Sequence, residues 1–365
     1  MGRPFWGAMK VLSRCLVLLL GSVFWTSARA EVARLVETSG ALPSKIAFGS
    51  CSKQTKPQPV LRTVVANEPD LFLYLGDNIY GDTRDMDVLR GKYDQLGSKP
   101  EFQALRASTS ILSVWDDHDY GENDAGKEYP MKEESREIFF DFWRVPEDSP
   151  RRAGDGIYGV HEYRDGDRTL QVILLDTRTF RDSLQRNPRP LPEGSPWKHD
   201  YQPIDDPERT ILGATQWAWL ESVLRRPASV RIVATSIQFG HEYNGWESWN
   251  NLPAEQRKMI ELIRSTEAGG VVFISGDVHW GEISKREPEG GYPLYDITAS
   301  GLTETWPEID PNRYRVGSAV PENHFGMIEI DWESPDPQLA FRLINRAGQV
   351  RNQVVTPVSR LSFED

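Results

Sequence analysis

Short apolar runs rich in β-branched residues recur along the chain, each closing on a polar or glycine-containing cluster, and this pattern predicts strands. The runs cover residues 45–48, 71–75, 110–114, 170–175, 230–235 and 271–275, with later candidates at 294–298 and 326–331. Stretches with helical spacing lie between them, at 59–67, 131–143, 214–225 and 254–266. In the last of these Met259, Ile260 and Ile263 share one face while most charged positions fall elsewhere. Strands alternating with helices point to a layered α/β protein. Two segments rich in proline and charge, 187–207 and 304–323, lack periodicity and are expected to be long loops, the first contributing to a substrate wall. Neither is simple enough to be a linker, so one catalytic domain is expected over residues 31–365.

Composition sets the limits of that reading. The chain has 365 residues, 39% hydrophobic and 26% charged, enough to bury a sizeable core and unlike a disordered or fibrous protein. Its first 30 residues differ in kind. Arg3, Lys10 and Arg14 precede an apolar stretch at 15–25, and Ala28-Arg29-Ala30 offers a small-residue cleavage pattern, as in a secretory signal peptide. The expected location is therefore secreted or periplasmic. The apolar stretch is shorter than the ~20 residues of a spanning helix, so no stable membrane span is expected after its removal.

Loss of residues 1–30 removes four basic residues and no acidic ones, taking the formal charge from −12 to −16. So acidic a surface excludes general nucleic-acid binding and demands a local positive site for any phosphate-bearing ligand, which a bound metal supplies. Of the two cysteines, Cys15 leaves with the signal, and Cys51 then has no intramolecular partner. A small buried residue and a metal-bound thiolate are both open readings for it.

The chemistry collects at strand ends. The run at 45–48 leads into Gly49-Ser50-Cys51, that at 71–75 into Gly76-Asp77-Asn78-Ile79-Tyr80, and that at 110–114 into Trp115-Asp116-Asp117-His118-Asp119. The run at 170–175 leads into Asp176-Thr177-Arg178, and that at 271–275 into Gly276-Asp277-Val278-His279. Ligands bind beyond the carboxyl ends of strands in α/β sheets, so five such ends predict one shared polar site. Carboxylate and imidazole fit a pair of metal ions, with Asp77 placed to bridge, and paired ions clamp the attacking and leaving oxygens of a hydrolysis. A serine nucleophile elbow, a P-loop and an H-E-x-x-H helix are all absent from the sequence. His118 and His279 stand inside motifs, whereas His161, His199, His241 and His324 are expected at the surface or behind the site.

Gly76-Asp77, Asp116-Asp117-His118-Asp119 and Gly276-Asp277-Val278-His279 resemble, in order, the GD, G-N-H-[DE] and G-H-x-H motifs of the calcineurin-like phosphoesterases. Asp117 stands where that superfamily has asparagine, and Asp277 where it has histidine. With Gly49-Ser50-Cys51, Tyr80, Tyr120-Gly121-Glu122-Asn123-Asp124 and Asp176-Thr177-Arg178-Thr179-Phe180-Arg181, the set resembles the alkaline phosphatase D (PhoD-like) branch. The resemblance implies a four-layer αββα sandwich with two central sheets and a binuclear or trinuclear centre of Fe(III) and Ca(II). Cys51, Asp77, Tyr80 and His279 would hold the ferric ion, and Asp117 and Asp277 would face calcium. The superfamily also has a metal-binding histidine after the strand at 230–235, where this chain offers Gln238 or His241.

The expected function is an exported metal-dependent hydrolase of phosphate esters, monoesters or diesters, acting as a monomer. His118 is expected to donate a proton to the leaving group, and Asn78, Arg178 and Arg181 to contact the phosphate. Two alternatives are a phospholipase D-type activity on lipid head groups, with Trp246, Trp249 and Trp306 against the apolar part, and a non-catalytic calcium-binding secreted protein.

Overall fold

Two mixed sheets carry the fold. The six-stranded sheet runs β16-β15-β14-β2-β3-β4. Its parallel half is β2 (Lys45–Gly49), β3 (Leu71–Leu75) and β4 (Ser110–Val114). Its antiparallel half is β14 (His324–Asp331), β15 (Gln338–Asn345) and β16 (Val350–Pro357). The eight-stranded sheet runs β1-β5-β6-β9-β10-β12-β11-β13. In chain order these are β1 (Val36–Ser39), β5 (Gly159–Asp165), β6 (Arg168–Leu174), β9 (Val230–Ala234), β10 (Val271–Ser275), β11 (Gly281–Arg286), β12 (Leu294–Ala299) and β13 (Arg315–Val320). β7 (Gln185–Arg186) and β8 (Tyr201–Gln202) form a small separate ladder. This computed structural model describes residues 1–2, 36–39, 41–195, 198–242 and 245–363, so the expected signal peptide lies outside the described residues but for its first two positions. Among the described residues no helix is long and apolar enough to cross a membrane.

β3, β9 and β10 are buried at every position, which is why their sequences read as unbroken apolar runs rather than alternations. Helices cover the outer faces. α1 (Val60–Ala66), α2 (Met86–Gly97), α3 (Pro100–Ser108) and α5 (Lys132–Phe142) lie over the six-stranded sheet, with Phe102 and Trp143 meeting Tyr74 of β3. Between α3 and α5, the single turn α4 (Asp117–Tyr120) opens at the end of β4. α6 (Gly213–Leu224) and α7 (Pro253–Ser265) bury Leu220, Val223, Met259 and Ile263 on the other side. The inner faces meet directly, as where Tyr295 of β12 packs on Phe341 of β15 at 5.2 Å between ring centroids. This is the four-layer αββα arrangement that the sequence led us to expect. Gly326 of β14 sits opposite Phe48 of β2, whose ring lies 2.2 Å from where a Cβ would stand, so the two strands can pair there only through glycine.

All eight expected strands and four expected helices form, with ends shifted by at most two residues. α2, α3 and the single turn α4 are additional. The burial of Leu89, Tyr93 and Leu96 in α2 has helical spacing, but Gly91 and a polar composition obscure it. β1, β5, β7, β11, β15 and β16 were also not expected, and neither expected loop is wholly loop, since 187–207 contains the short strand β8 and 304–323 the edge strand β13.

His324 is fully buried, its Nδ1 bonded to the Glu322 carbonyl at 2.7 Å, between Gly281 and Gly301, which leave room for its ring. His241 and His161 are buried as well. Burial lowers His324 from its ordinary value to about 4. In the unfolded chain it regains a pKa of about 6.5, so the unfolded state binds the extra proton between those values. Stability should therefore fall as pH drops from about 6.5 toward 4, by on the order of 3 kcal/mol from this group. Urea midpoints measured across that range should fall more steeply for the wild type than for His324→Gln; parallel curves would show that His324 does not contribute.

Candidate metal centre

The parallel strands of both sheets deliver their carboxyl ends to one edge. There the Cys51 Sγ lies 3.4 Å from Asp77 Oδ2, and the Tyr80 hydroxyl lies 3.1 Å from His279 Nε2. Cys51, Asp77 and His279 each offer a ligand atom within 4.8 Å of the others. Asp77, Asp117 and His118 do the same, as do Asp116, Asp117 and Asp277. Asp77 thus links the sulfur and imidazole side to the carboxylate side. Cys51, Asp77, Tyr80, Asp117, Asp277 and His279, separated by up to 228 positions in sequence, share one neighbourhood.

Local backbone geometry does the aiming. Among the described residues nine non-glycine positions have positive φ, and six of them, Cys51, Asp77, Asp82, Asp124, Asp277 and His279, belong to this site or its rim. Such conformations cost about 1–3 kcal/mol each and persist only where the surroundings impose them. Asp119 is one such support: its Oδ1 accepts from the backbone N–H of Asp77 and Asp116, while Oδ2 accepts from Asn78 Nδ2 and the Tyr93 hydroxyl. Ser300 is another, its hydroxyl accepting from the His279 N–H at 2.8 Å and lying 3.0 Å from Cys51 Sγ. At Gly76 a Cβ would stand 2.4 Å from the Asp116 Cβ, so glycine is what lets the ends of β3 and β4 close on each other.

The electrostatics are those of crowded, buried acid. Burial pushes Asp77 and Asp277 well above the carboxylate range, Asp116 to about 7 and Asp119 to about 8. Burial raises Asp117 too, but the His118 and Arg178 charges and the Asp124 N–H outweigh it and hold this carboxyl below its usual value. Burial likewise lifts the Cys51 thiol and the Tyr80 phenol and lowers His279 to about 4. Asp77 Oδ1, Asp116 Oδ2 and His279 Nδ1 are buried with no hydrogen-bond partner. Converging carboxyl groups with orphaned oxygens fit a cation: a metal would restore the ionised forms and take up the open lone pairs.

His118 stands beside this nest. Its Nδ1 bonds Asp82 Oδ1 at 2.7 Å, and its ring lies 4.2 Å from the Tyr80 ring. Burial opposes its protonation, yet Asp117, Asp77 and Asp82 prevail and push it up to about 11.

The phosphate contacts expected from sequence are placed differently. Arg178 is fully buried, bonding Asp116 through Nε at 2.6 Å and facing Glu247 at 2.5 Å. Arg181 is equally enclosed, between Glu247 at 2.9 Å and the Asp124 carbonyl. Both guanidiniums are turned inward because Asp116 and Glu247 are buried charges that need partners. Asn78 is buried and holds the Val114 carbonyl and Asp119. Gln238 and His241, the two candidates for the missing histidine, both face Glu282, and His241 joins none of the His, Cys, Asp and Glu groups that could hold a metal among the described residues. The hydroxyl nearest the site from the end of β9 is that of Ser236, bonded to Asp116 Oδ1 at 2.6 Å.

Glu247 and Asp124, which with Asp117 form a further acidic group, were missed by sequence reasoning. Asp124 follows α4 within a quoted motif and was legible as a candidate; Glu247 sits in a loop with no motif around it. Trp249, considered for an apolar substrate, is instead fully buried with its Nε1 on Thr235, whereas Trp246 and Trp306 are half-buried near His279.

Comparison with known proteins agrees with this geometry. The model of the PhoD-like phosphatase family matches residues 46–309. Alkaline phosphatase D of Bacillus subtilis is 26% identical over 271 residues, covering 64% of this chain and 45% of that protein, so the chain spans less than half the length of this relative. A solved structure of PhoD superposes with a TM-score of 0.65 at 19% identity, covering 87% of this chain and 69% of the other. A dimetal phosphatase from Danio rerio superposes with a TM-score of 0.51 at 14% identity, covering 88% and 100%. At such identities the superpositions speak for the fold, and the matched residues 46–309, which carry every candidate ligand, speak for kinship: the chain belongs to the PhoD-like phosphatase family.

Proposed function

We propose that this chain is an exported, metal-dependent hydrolase of phosphate esters of the alkaline phosphatase D type. The observation that carries it is the meeting of Cys51, Asp77, Tyr80 and His279 with Asp116, Asp117 and Asp277, beside His118, with Asp77 close to ligand atoms on both sides. Thiolate and phenolate donors suit Fe(III), and the all-oxygen side suits Ca(II). Bound there, the ions would supply the positive charge and Lewis acidity that phosphoryl transfer requires.

The remaining chemistry belongs to the protein. Asp82 fixes His118 through Nδ1, leaving Nε2 to hand a proton to the departing alkoxide. Asp119 and Asn78 keep the loop of Asp77 in place, and Arg178 and Arg181 hold Asp116 and Glu247 at the back of the site rather than gripping the substrate. A second reading, hydrolysis of lipid head-group esters, draws on the half-buried rings of Trp306, 4.5 Å from His279, and Trp246, 5.1 Å from Trp306. Export rests on the basic, apolar and small-residue order of the first 30 residues.

Three outcomes are expected. Elemental analysis of purified protein should find iron and calcium, and chelation should abolish hydrolysis of a chromogenic monoester and diester; active protein without bound metal would remove the reading. Phosphatidylcholine run beside them tests the lipid alternative. His118→Ala should lower kcat about 100-fold or more at unchanged metal content, as loss of a general acid predicts; a wild-type kcat would remove His118 from catalysis. Arg178→Met should lower stability by about 3–5 kcal/mol in urea denaturation, because Asp116 would remain buried and unpaired. A stable variant with only a raised KM would instead return Arg178 to the substrate.

A further inference from the structure

Cations around the centre are nearly all spent on carboxylates. Arg178 faces Asp116 and Glu247, Arg181 faces Glu247, Arg186 lies 3.7 Å from Asp124, and Lys56 pairs with Glu304 at 2.9 Å. Lys92 has no carboxylate but gives its Nζ to the Gly81 carbonyl at 2.6 Å, whereas Lys53 has neither kind of partner among the described residues. The Lys53 side chain is half-buried, and its Nζ lies 5.1 Å from the centroid of the Tyr80 ring. That ring carries the hydroxyl beside His279 and touches the His118 imidazole, so one aromatic ring links the ammonium to the centre.

The backbone that presents Lys53 is fixed. Its N–H donates to Thr303 Oγ1 at 2.7 Å, and that hydroxyl bonds the Cys51 carbonyl at 3.0 Å. The Thr303 N–H also bonds the Cys51 carbonyl, at 3.0 Å. A flexible stem on a rigid base, two residues after a candidate ligand, is suited to follow a substrate oxygen.

We propose that Lys53 is the protein's own phosphate-binding cation, donating a charge-assisted hydrogen bond to a non-bridging oxygen of the phosphoryl group. This takes the place expected of Arg178 and Arg181, and it rests on the phosphoesterase reading for its choice of ligand. The attraction scales with ligand charge, so Lys53 assists a dianionic monoester, or inorganic phosphate, more than a monoanionic diester.

The test is calorimetric titration of inorganic phosphate into the purified, metal-bearing protein. Lys53→Met, which keeps the apolar stem, should raise the phosphate Kd about tenfold, the size of one charge-assisted hydrogen bond at a half-open site. Lys53→Arg should restore most of the affinity, with metal content unchanged in both. The kcat/KM of Lys53→Met should fall further for a monoester than for a diester. A phosphate Kd within twofold of wild type would overturn the assignment. Metal loss in Lys53→Met would do so as well, since the lysine would then be supporting Tyr80 rather than binding substrate. Hydrolysis by the wild type is read separately: phosphate binding through Lys53 without any turnover would sink the phosphoesterase reading and leave this one standing.

Discussion

Negative charge gathered largely out of reach of water is the constraint on which the rest of the structure depends. Asp77, Asp116, Asp117 and Asp277 meet at one sheet edge, and burial raises three of the four above their ordinary range. An isolated ion in such surroundings is too costly to keep, so each carboxylate must be neutralised by a proton, a fixed cation or a metal. The protein supplies only part of the answer. Arg178 satisfies Asp116 from behind, and Ser236 gives it a second donor, while Asp116 Oδ2 and Asp77 Oδ1 stay open. A site half satisfied by protein and half by open lone pairs is organised around a ligand of opposite charge.

That demand explains where strain is placed. Cys51, Asp77 and Asp277 take left-handed backbone conformations two residues beyond the end of a strand, and His279 does so four residues beyond β10. Turning the chain sharply there points the side chain across the edge instead of along the sheet. The parallel strands behind them are buried on both faces and cannot shift to relax it. Gly76 contributes in another way, since the close approach of β3 and β4 that it permits is what brings Asp77 to Asp116 and Asp117.

Sequence made the strand-end half of this legible and the pairing half illegible. Each candidate ligand followed an apolar run, so its place at a sheet edge could be read from local pattern. Which charges would face each other could not, because Arg178 and Asp116 are 62 positions apart and Glu247 lies in a loop without periodicity. An arginine near a phosphate site reads outward by habit; burial and two carboxylates turn it inward. The histidines went the same way. His324 and His241 carry no motif, yet space left by Gly281 and Gly301 admits one ring and Glu282 receives the other, facts of packing that no local window contains. In the fold, α2 and β13 were lost to glycine, charge and proline, which weaken the local pattern without preventing burial or pairing.

Donor chemistry takes the argument its last step. At two positions where the wider superfamily uses nitrogen ligands the chain departs from it: Asp277 offers carboxylate in place of an imidazole, and after β9 both Gln238 and His241 face Glu282, while the Ser236 hydroxyl turns to Asp116. The opposite side keeps His279 and adds sulfur and phenol. Such an arrangement separates hardness in space, with soft and strongly donating groups at one end of Asp77 and oxygen alone at the other. Cys51, Tyr80 and His279 at one end and Asp116, Asp117 and Asp277 at the other, with Asp77 close to both, would hold cations that supply the positive charge these crowded acidic groups lack.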